Sequence, residues 1–262
     1  MMKKSFYTAG ILLMMCFCLG AVQAAIVPSS GETILFSDDF SDNSNGWSNI
    51  TTAAGGASIS DGVWKAADGL NTGSVTSSVT LPSQINLKDG DVSVYFRASV
   101  NDRWSNERFG VSLTDGSSQA GFHVQAGDAG YFTYTTSTGS NTTRWGSPSG
   151  QIVTGTGFIN YKLTVAANGQ DGGGRDIYTA SFFMNGFDDG TGNDYGLVYT
   201  MPFDMYFDSG KASALEIYTR NTGAVTKMDE LVVTQIPEAG TLGLVGLATG
   251  MLVLLKRYSH SR

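Results

Sequence analysis

Thiol and imidazole chemistry are nearly missing from this chain. Its 262 residues include two cysteines, Cys16 and Cys18, and two histidines, His123 and His260. Both cysteines fall in an apolar run near the N-terminus. Residues 25–235 therefore hold none, which rules out a disulfide frame and a thiol nucleophile there. A serine nucleophile would have to work through His123, in the strand-like stretch Gly121-Phe-His-Val-Gln, where a packed or edge histidine is the ordinary reading. Glutamate is scarce as well: Glu32, Glu107, Glu216 and Glu230 are the four in residues 25–235. Glycoside hydrolysis needs two carboxyl groups at a set separation. No Glu-x-Asp-x-(x)-Glu pattern, which strand alternation would line up on one face, occurs. Asp89 and Asp91 are two apart, but they follow Leu87-Lys88 at a turn. The inventory points away from an enzyme.

Basic charge is short too. The chain carries 16 Lys and Arg against 23 Asp and Glu. Five of the basic residues (Lys3, Lys4, Lys256, Arg257 and Arg262) lie in the two ends, so the middle is left with 11 against 22, a net charge near −11. Such a surface repels nucleic acid and anionic membrane, and it tolerates calcium.

Long apolar runs occur only at the ends. Lys3 and Lys4 precede Ala9-Gly-Ile-Leu-Leu-Met-Met-Cys-Phe-Cys-Leu-Gly-Ala, and small side chains follow at Val22 and Ala24. This is the layout of a secretory signal at residues 1–24, cleaved after Ala24; the alternative is a retained N-terminal anchor. Phe17, just before Cys18, is too bulky for a lipoprotein site. From Ala239 to Leu255 run 17 uncharged residues that include two threonines and the glycines 240, 243, 246 and 250. As a helix this is about 25 Å, slightly short of a hydrocarbon core of about 30 Å. Lys256 and Arg257 behind it form a positive stop that leaves the C-terminus in the cytoplasm and the middle outside. A buried core helix is the alternative.

Pro237-Glu238, a Gly-Thr-Leu opening of an apolar helix and a terminal basic cluster resemble the PEP-CTERM sorting signal. The resemblance covers residues 236–262. It implies an exosortase-like membrane enzyme as processing partner, inner-membrane tethering through helix 239–255 before processing, and release to the cell surface or extracellular matrix afterwards. One position departs from the pattern: Ala239 stands where proline is usual.

Between the ends, alternating apolar and polar residues recur in runs such as Ser74–Leu81, Asp91–Val100, Arg108–Thr114, Ile159–Ala167, Asp176–Asn185 and Lys227–Gln235, broken by Gly, Asn, Asp and Ser. This pattern predicts an all-β domain over 25–235, roughly a dozen strands in an antiparallel two-sheet sandwich or jelly roll. Ile34-Leu-Phe-Ser-Asp-Asp-Phe leading to Trp47, with Lys227–Gln235 near the far end, is similar to the first and last strands of concanavalin A-like jelly rolls. That resemblance implies that the two strands pair. Asp38, Asp39 and Asp42 would then approach Asp229 and Glu230, and Asp38, Asp39 and Asp229 become candidate ligands for a structural calcium ion. Solvated acidic turns are the alternative.

Sugar recognition needs flat aromatic faces beside planar hydrogen-bonding groups. Arg103-Trp104 with Asn106, and Arg144-Trp145 after Asn141, offer that combination in expected loops, whereas Trp64 sits among apolar neighbours. The rim set is therefore Trp104, Trp145, Arg103, Arg144 and Asn106, unless either tryptophan folds inward. Three roles remain open: a non-catalytic exported protein that binds exopolysaccharide in a surface matrix, a carbohydrate-active hydrolase or lyase, and a protein-binding adhesion or self-assembly module. The intact mass of the exported protein tests the ends. A species spanning Ala25 to about Pro237 is expected only when the processing enzyme is present; a mass reaching Arg262 in its presence rejects a processed tail.

Overall fold

A computed structural model describes residues 26–50, 56–66, 74–99, 108–125, 129–136, 139–146, 158–185, 195–201, 204–220 and 226–236. The signal and tail residues, Ala24, Pro237, Glu238, Lys256 and Arg257 among them, lie outside that set, as do Arg103, Trp104 and Asn106. Among the described residues no helix is long and apolar enough to cross a membrane.

The described residues form fourteen strands. These are β1 (Thr33–Asp38), β2 (Ala57–Ser60), β3 (Val63–Ala66), β4 (Ser74–Asn86), β5 (Val92–Ser99), β6 (Arg108–Thr114) and β7 (Gln119–Gln125). After them come β8 (Ala129–Thr136), β9 (Gly139–Gly146), β10 (Ile159–Gln170), β11 (Asp176–Asn185), β12 (Tyr195–Thr200), β13 (Lys211–Arg220) and β14 (Lys227–Gln235). Two antiparallel sheets result. One runs β12-β11-β10-β5-β14-β3-β2, with β1 also on β14; the other runs β4-β13-β6-β7-β8-β9. The expected sandwich is present, and β1 pairs with β14.

The inner faces interlock through aromatic rings. Phe122 of β7 stacks on Phe182 of β11 with centroids 3.5 Å apart, bridging the two sheets. Phe96 stacks on Tyr161 at 5.1 Å and meets Phe109 edge-on at 6.2 Å. Trp64, expected in the core, is fully buried there. Burying a large apolar side chain contributes about 1.5–3 kcal/mol, so the alternating positions that seemed polar-out and apolar-in do define this core.

Strand β5 breaks the alternation rule, because all eight of its residues are buried. Its inner face, Val92, Val94, Phe96 and Ala98, joins the core. Its outer face is covered by the segment Ile26–Glu32. Glu32 accepts hydrogen bonds from the Tyr95 hydroxyl (2.9 Å) and the Thr234 hydroxyl (2.6 Å) and pairs with Lys162 (3.4 Å). Ile26 packs with Tyr95 and Val232, and its N–H donates to Glu230 at 2.7 Å. A sheet face roofed by its own chain can carry tyrosine and lysine stems out of water.

Beyond Tyr95 the same strand places Arg97 against Asp229, which sits at the irregularity in β14 between Met228 and Glu230. The guanidinium Nε donates to Asp229 Oδ1 at 2.8 Å, and the pair is almost wholly buried. Removing one member leaves the other charged and desolvated. Asp229→Ala is therefore expected to cost about 3–5 kcal/mol, read as a lowered denaturant midpoint at unchanged slope, with Arg97→Met added in the same chain recovering at least half. A single variant within 1 kcal/mol of the parent would sink this account.

Candidate functional site

Two concave places stand out, and they differ in chemistry. The first follows from the β1–β14 pairing. Asp38, Asp39, Asp42 and Glu230 line a cavity of about 300 Å³ together with Ser37, Ser41, Ser44 and Asn45. Asp38 is spoken for: its carboxylate accepts from the Phe40 N–H (2.7 Å), the Trp47 indole Nε1 (2.7 Å) and the Asn45 amide (2.8 Å). These bonds hold Phe40 at φ 53° and bury Trp47 beside it. Asp39 accepts from the Ser41 N–H and Asp42 from the Ser44 N–H; hydrogen bonding by the Ser41 backbone lowers the first carboxyl below the usual range, and the Ser44 side chain, then its backbone, lowers the second. Asp229 does not line this cavity, since it is turned to Arg97. Thus Asp38, Asp39 and Asp42 gather with Glu230, while all three expected calcium ligands, Asp38, Asp39 and Asp229, accept hydrogen bonds from protein donors. Among the described residues no group of three or more His, Cys, Asp or Glu is placed to hold a metal ion.

The second is a groove of about 250 Å³ on the solvent side of the six-stranded sheet, lined by Thr76, Arg108, Ser112, Gln119, His123, Glu216 and Tyr218. Four strands contribute. Register explains the gathering: Thr76, Tyr218, Gly110 and His123 form one cross-strand row, and Ser78, Glu216, Ser112 and Gly121 form the next. Two glycines make the floor. A Cβ on Gly110 would meet the Phe122 carbonyl at 2.0 Å and the His123 ring at 2.6 Å; one on Gly121 would meet the Ser112 hydroxyl at 1.9 Å. With no side chain at Gly110, the His123 ring reaches Tyr218 and stacks on it, centroids 4.5 Å apart and planes 20° from parallel.

Electrostatics in the groove are set by burial. His123 is buried, and desolvation, with Arg108 nearby, pushes its pKa down to about 3, so the imidazole is neutral at ordinary pH. Its Nε2 is buried with no hydrogen-bond partner. Glu216 is half-buried, and desolvation raises its carboxyl above the usual range. Among the described residues it is the one carboxyl group lining the groove, which the cation Arg108 also lines.

The expected loop site fares differently. Arg144 and Trp145 lie on strand β9 rather than in a loop, since β9 pairs with β8 from Thr136↔Gly139 to Ala129↔Gly146. Consecutive threonines 142 and 143 suit an extended chain. Arg144 occupies the row of His123 and Tyr218, through Tyr131. Trp145 occupies the neighbouring row with Gly130 and Val124. The sequence also suggests an acidic, glycine-rich loop over 186–196; Tyr195 and Gly196 instead open strand β12, and residues 186–194 lie outside the described residues. The groove residues Thr76, Arg108, Ser112, Gln119, Glu216 and Tyr218 were not anticipated, because they lie far apart in sequence. The available signal was glycine inside two strands, Gly110 and Gly121, which marks a close approach.

No protein-family model matches the chain, and no curated protein matches it. Solved structures do resemble it in fold. One is the CBM2 module of the evolved Dit of Lactobacillus casei BL23 phage J-1, at TM-score 0.51 and 13% identity, covering 79% of this chain and 97% of that one. Another is an endo-1,3-beta-glucanase from Streptomyces sioyaensis, at TM-score 0.50 and 13% identity, covering 82% and 100%. The globular domain of T. cruzi calreticulin aligns at TM-score 0.50 and 12% identity, covering 88% and 100%. The shared feature is the jelly-roll-like two-sheet sandwich.

The buried imidazole gives a pH signature. His123 titrates near 3 when folded and near 6.5 when unfolded, so the unfolded chain takes up the proton first as pH falls. Its contribution is complete above pH 6.5 and declines by about 1.4 kcal/mol per pH unit below that, while the raised carboxyls Glu216 and Glu230 oppose the trend nearer their own range. Thermal unfolding at pH 7 and pH 5 is expected to show a Tm drop of several degrees that His123→Phe, which keeps the ring stack, largely abolishes. Equal drops in parent and variant would contradict the assignment.

Proposed function

We propose that the chain is an exported, non-catalytic carbohydrate-binding protein of a cell surface or extracellular matrix, and that the groove on the six-stranded sheet is where it holds glycan. The observation that carries this reading is the Tyr218–His123 ring stack set beside Arg108, Gln119 and Glu216 in one groove. Ring faces shed little water when covered by the C–H face of a sugar, and planar side chains supply directed bonds to its hydroxyls. Two fold relatives bear names in keeping with such a role, a CBM2 module and an endo-1,3-beta-glucanase. Export and the exosortase-like processing step rest on the sequence of residues 1–24 and 236–262.

The carboxylate count supports binding over hydrolysis. A glycosidase needs an acid and a second carboxylate across the scissile bond, and Glu216 stands as the one carboxyl group among the lining residues described. Affinity electrophoresis of the whole chain through gels containing soluble glucan tests the proposal. Tyr218→Ala is expected to reduce retardation at least tenfold, and Arg144→Ala to reduce it less. If retardation survives Tyr218→Ala but is lost in Trp104→Ala or Trp145→Ala, the binding place moves from the groove to the rim set read from the sequence.

A further inference from the structure

The groove is furnished unevenly, and the imbalance says which ligand suits it. Two polar groups in it have no protein partner among the described residues, one of them partly open to solvent and the other buried. Glu216 takes part in no hydrogen bond or ion pair, although it is half-buried, as its upward-shifted carboxyl reflects. The Nε2 atom of His123 is buried and without a partner. A buried polar atom left without a partner, as this Nε2 is, carries its full desolvation penalty. Repacking cannot supply partners here, because the His123 ring already lies over Gly110, where no side chain fits, and Ser112 closes over Gly121.

The missing partner can be deduced by chemistry. Glu216, when ionised, only accepts hydrogen bonds, so its partner must donate. Nε2 accepts or donates according to the ring tautomer, and a hydroxyl serves in either case. A carboxylate or sulfate ester brings no donor and meets Glu216 as a like charge. An ammonium suits Glu216 but meets the Arg108 cation in the same groove. Neighbouring hydroxyls on an uncharged ring satisfy both groups at once, since the two oxygens of a carboxylate are spaced to accept from a vicinal diol.

Building on the carbohydrate-binding reading, we infer that the groove selects uncharged sugar rings by their vicinal hydroxyls, with Glu216 as the diol-accepting group and His123 Nε2 bonding a further hydroxyl. Uronate-rich and sulfated chains are excluded by the same carboxylate.

The test uses the whole chain in three affinity gels, containing laminarin, dextran or polygalacturonate, with Glu216→Gln run beside the parent. The variant is isosteric, and a Tm within a few degrees of the parent confirms that it folds. Retardation of the parent by at least one neutral glucan and not by polygalacturonate is expected, with an affinity loss of at least tenfold in Glu216→Gln. In parallel, the ¹⁵N resonance of His123 Nε2 is expected to shift when oligosaccharide from the retarding glucan is added to the parent. His123→Phe, which preserves the stack on Tyr218, is expected to lose affinity as well. Parent-like affinity in Glu216→Gln, or preference of the parent for polygalacturonate, overturns the diol inference while the groove remains a glycan site. Absence of retardation in all three gels, with an unmoved Nε2 resonance, removes the groove reading and this inference together.

Discussion

The last strand is the element on which the rest of the sandwich depends. β14 pairs with β5 along its whole length on one edge, and with β3 and then β1 along the other. Without it the eight-stranded sheet separates into β12-β11-β10-β5 and a detached group of short N-terminal strands. The residues it joins are remote in sequence, so its pairing carries a large loop-closure cost that only the completed core offsets. Every buried charge described on the outer face is also tied to it. Asp229 holds Arg97, Glu230 holds the Ile26 N–H, and Thr234 holds Glu32. The strand ends at Gln235, and Ile236 still bonds to the Asp91 carbonyl at 2.9 Å. The sorting-signal-like tail would thus begin one residue beyond the domain's central strand.

How much of this was legible follows from where each signal lives. Alternation within one strand is a local property, and it correctly marked β3 to β8, β10, β11, β13 and β14. It failed at β9, where Asn141-Thr-Thr-Arg-Trp-Gly lacks an apolar repeat, and at the short β2 and β12, where four to six residues are too few to show a period. The pairing of β1 with β14 was reached only through a resemblance, since no local pattern in Thr33–Asp38 names a partner. The groove was invisible for a stronger reason. Its residues come from β4, β6, β7 and β13, and only the register between strands puts Tyr218 beside His123. Glycines 110 and 121 were the one trace in the sequence, and their meaning depends on what crosses them.

Burial assigns opposite roles to the domain's carboxylates. At the β1 end, Asp38, Asp39 and Asp42 are lined with hydrogen-bond donors, and their charge fixes the loop that buries Trp47. Those groups are structural in the plain sense that their bonds are already made. Glu216 has the reverse environment, desolvated and unanswered. A leucine or threonine at 216 would avoid that desolvation altogether. The arrangement is reasonable where the partner arrives from outside.

The same contrast bears on catalysis. A general acid must hold a proton at working pH and pass it to a leaving group while a second carboxylate acts across the ring. Desolvation gives Glu216 a raised carboxyl, which is half of that requirement. The other half is missing from the residues described in the groove, where the remaining polar groups are an arginine, a glutamine, hydroxyls and an imidazole kept neutral by burial. An imidazole that protonates only near pH 3 is a poor proton carrier at neutral pH, but it is a stable hydrogen-bonding surface there. A carboxyl group sharing a groove with an imidazole that burial keeps neutral at ordinary pH suits the hydroxyl recognition proposed for it. The glycan-holding role proposed for the groove therefore asks of these residues hydrogen bonds alone and no proton transfer.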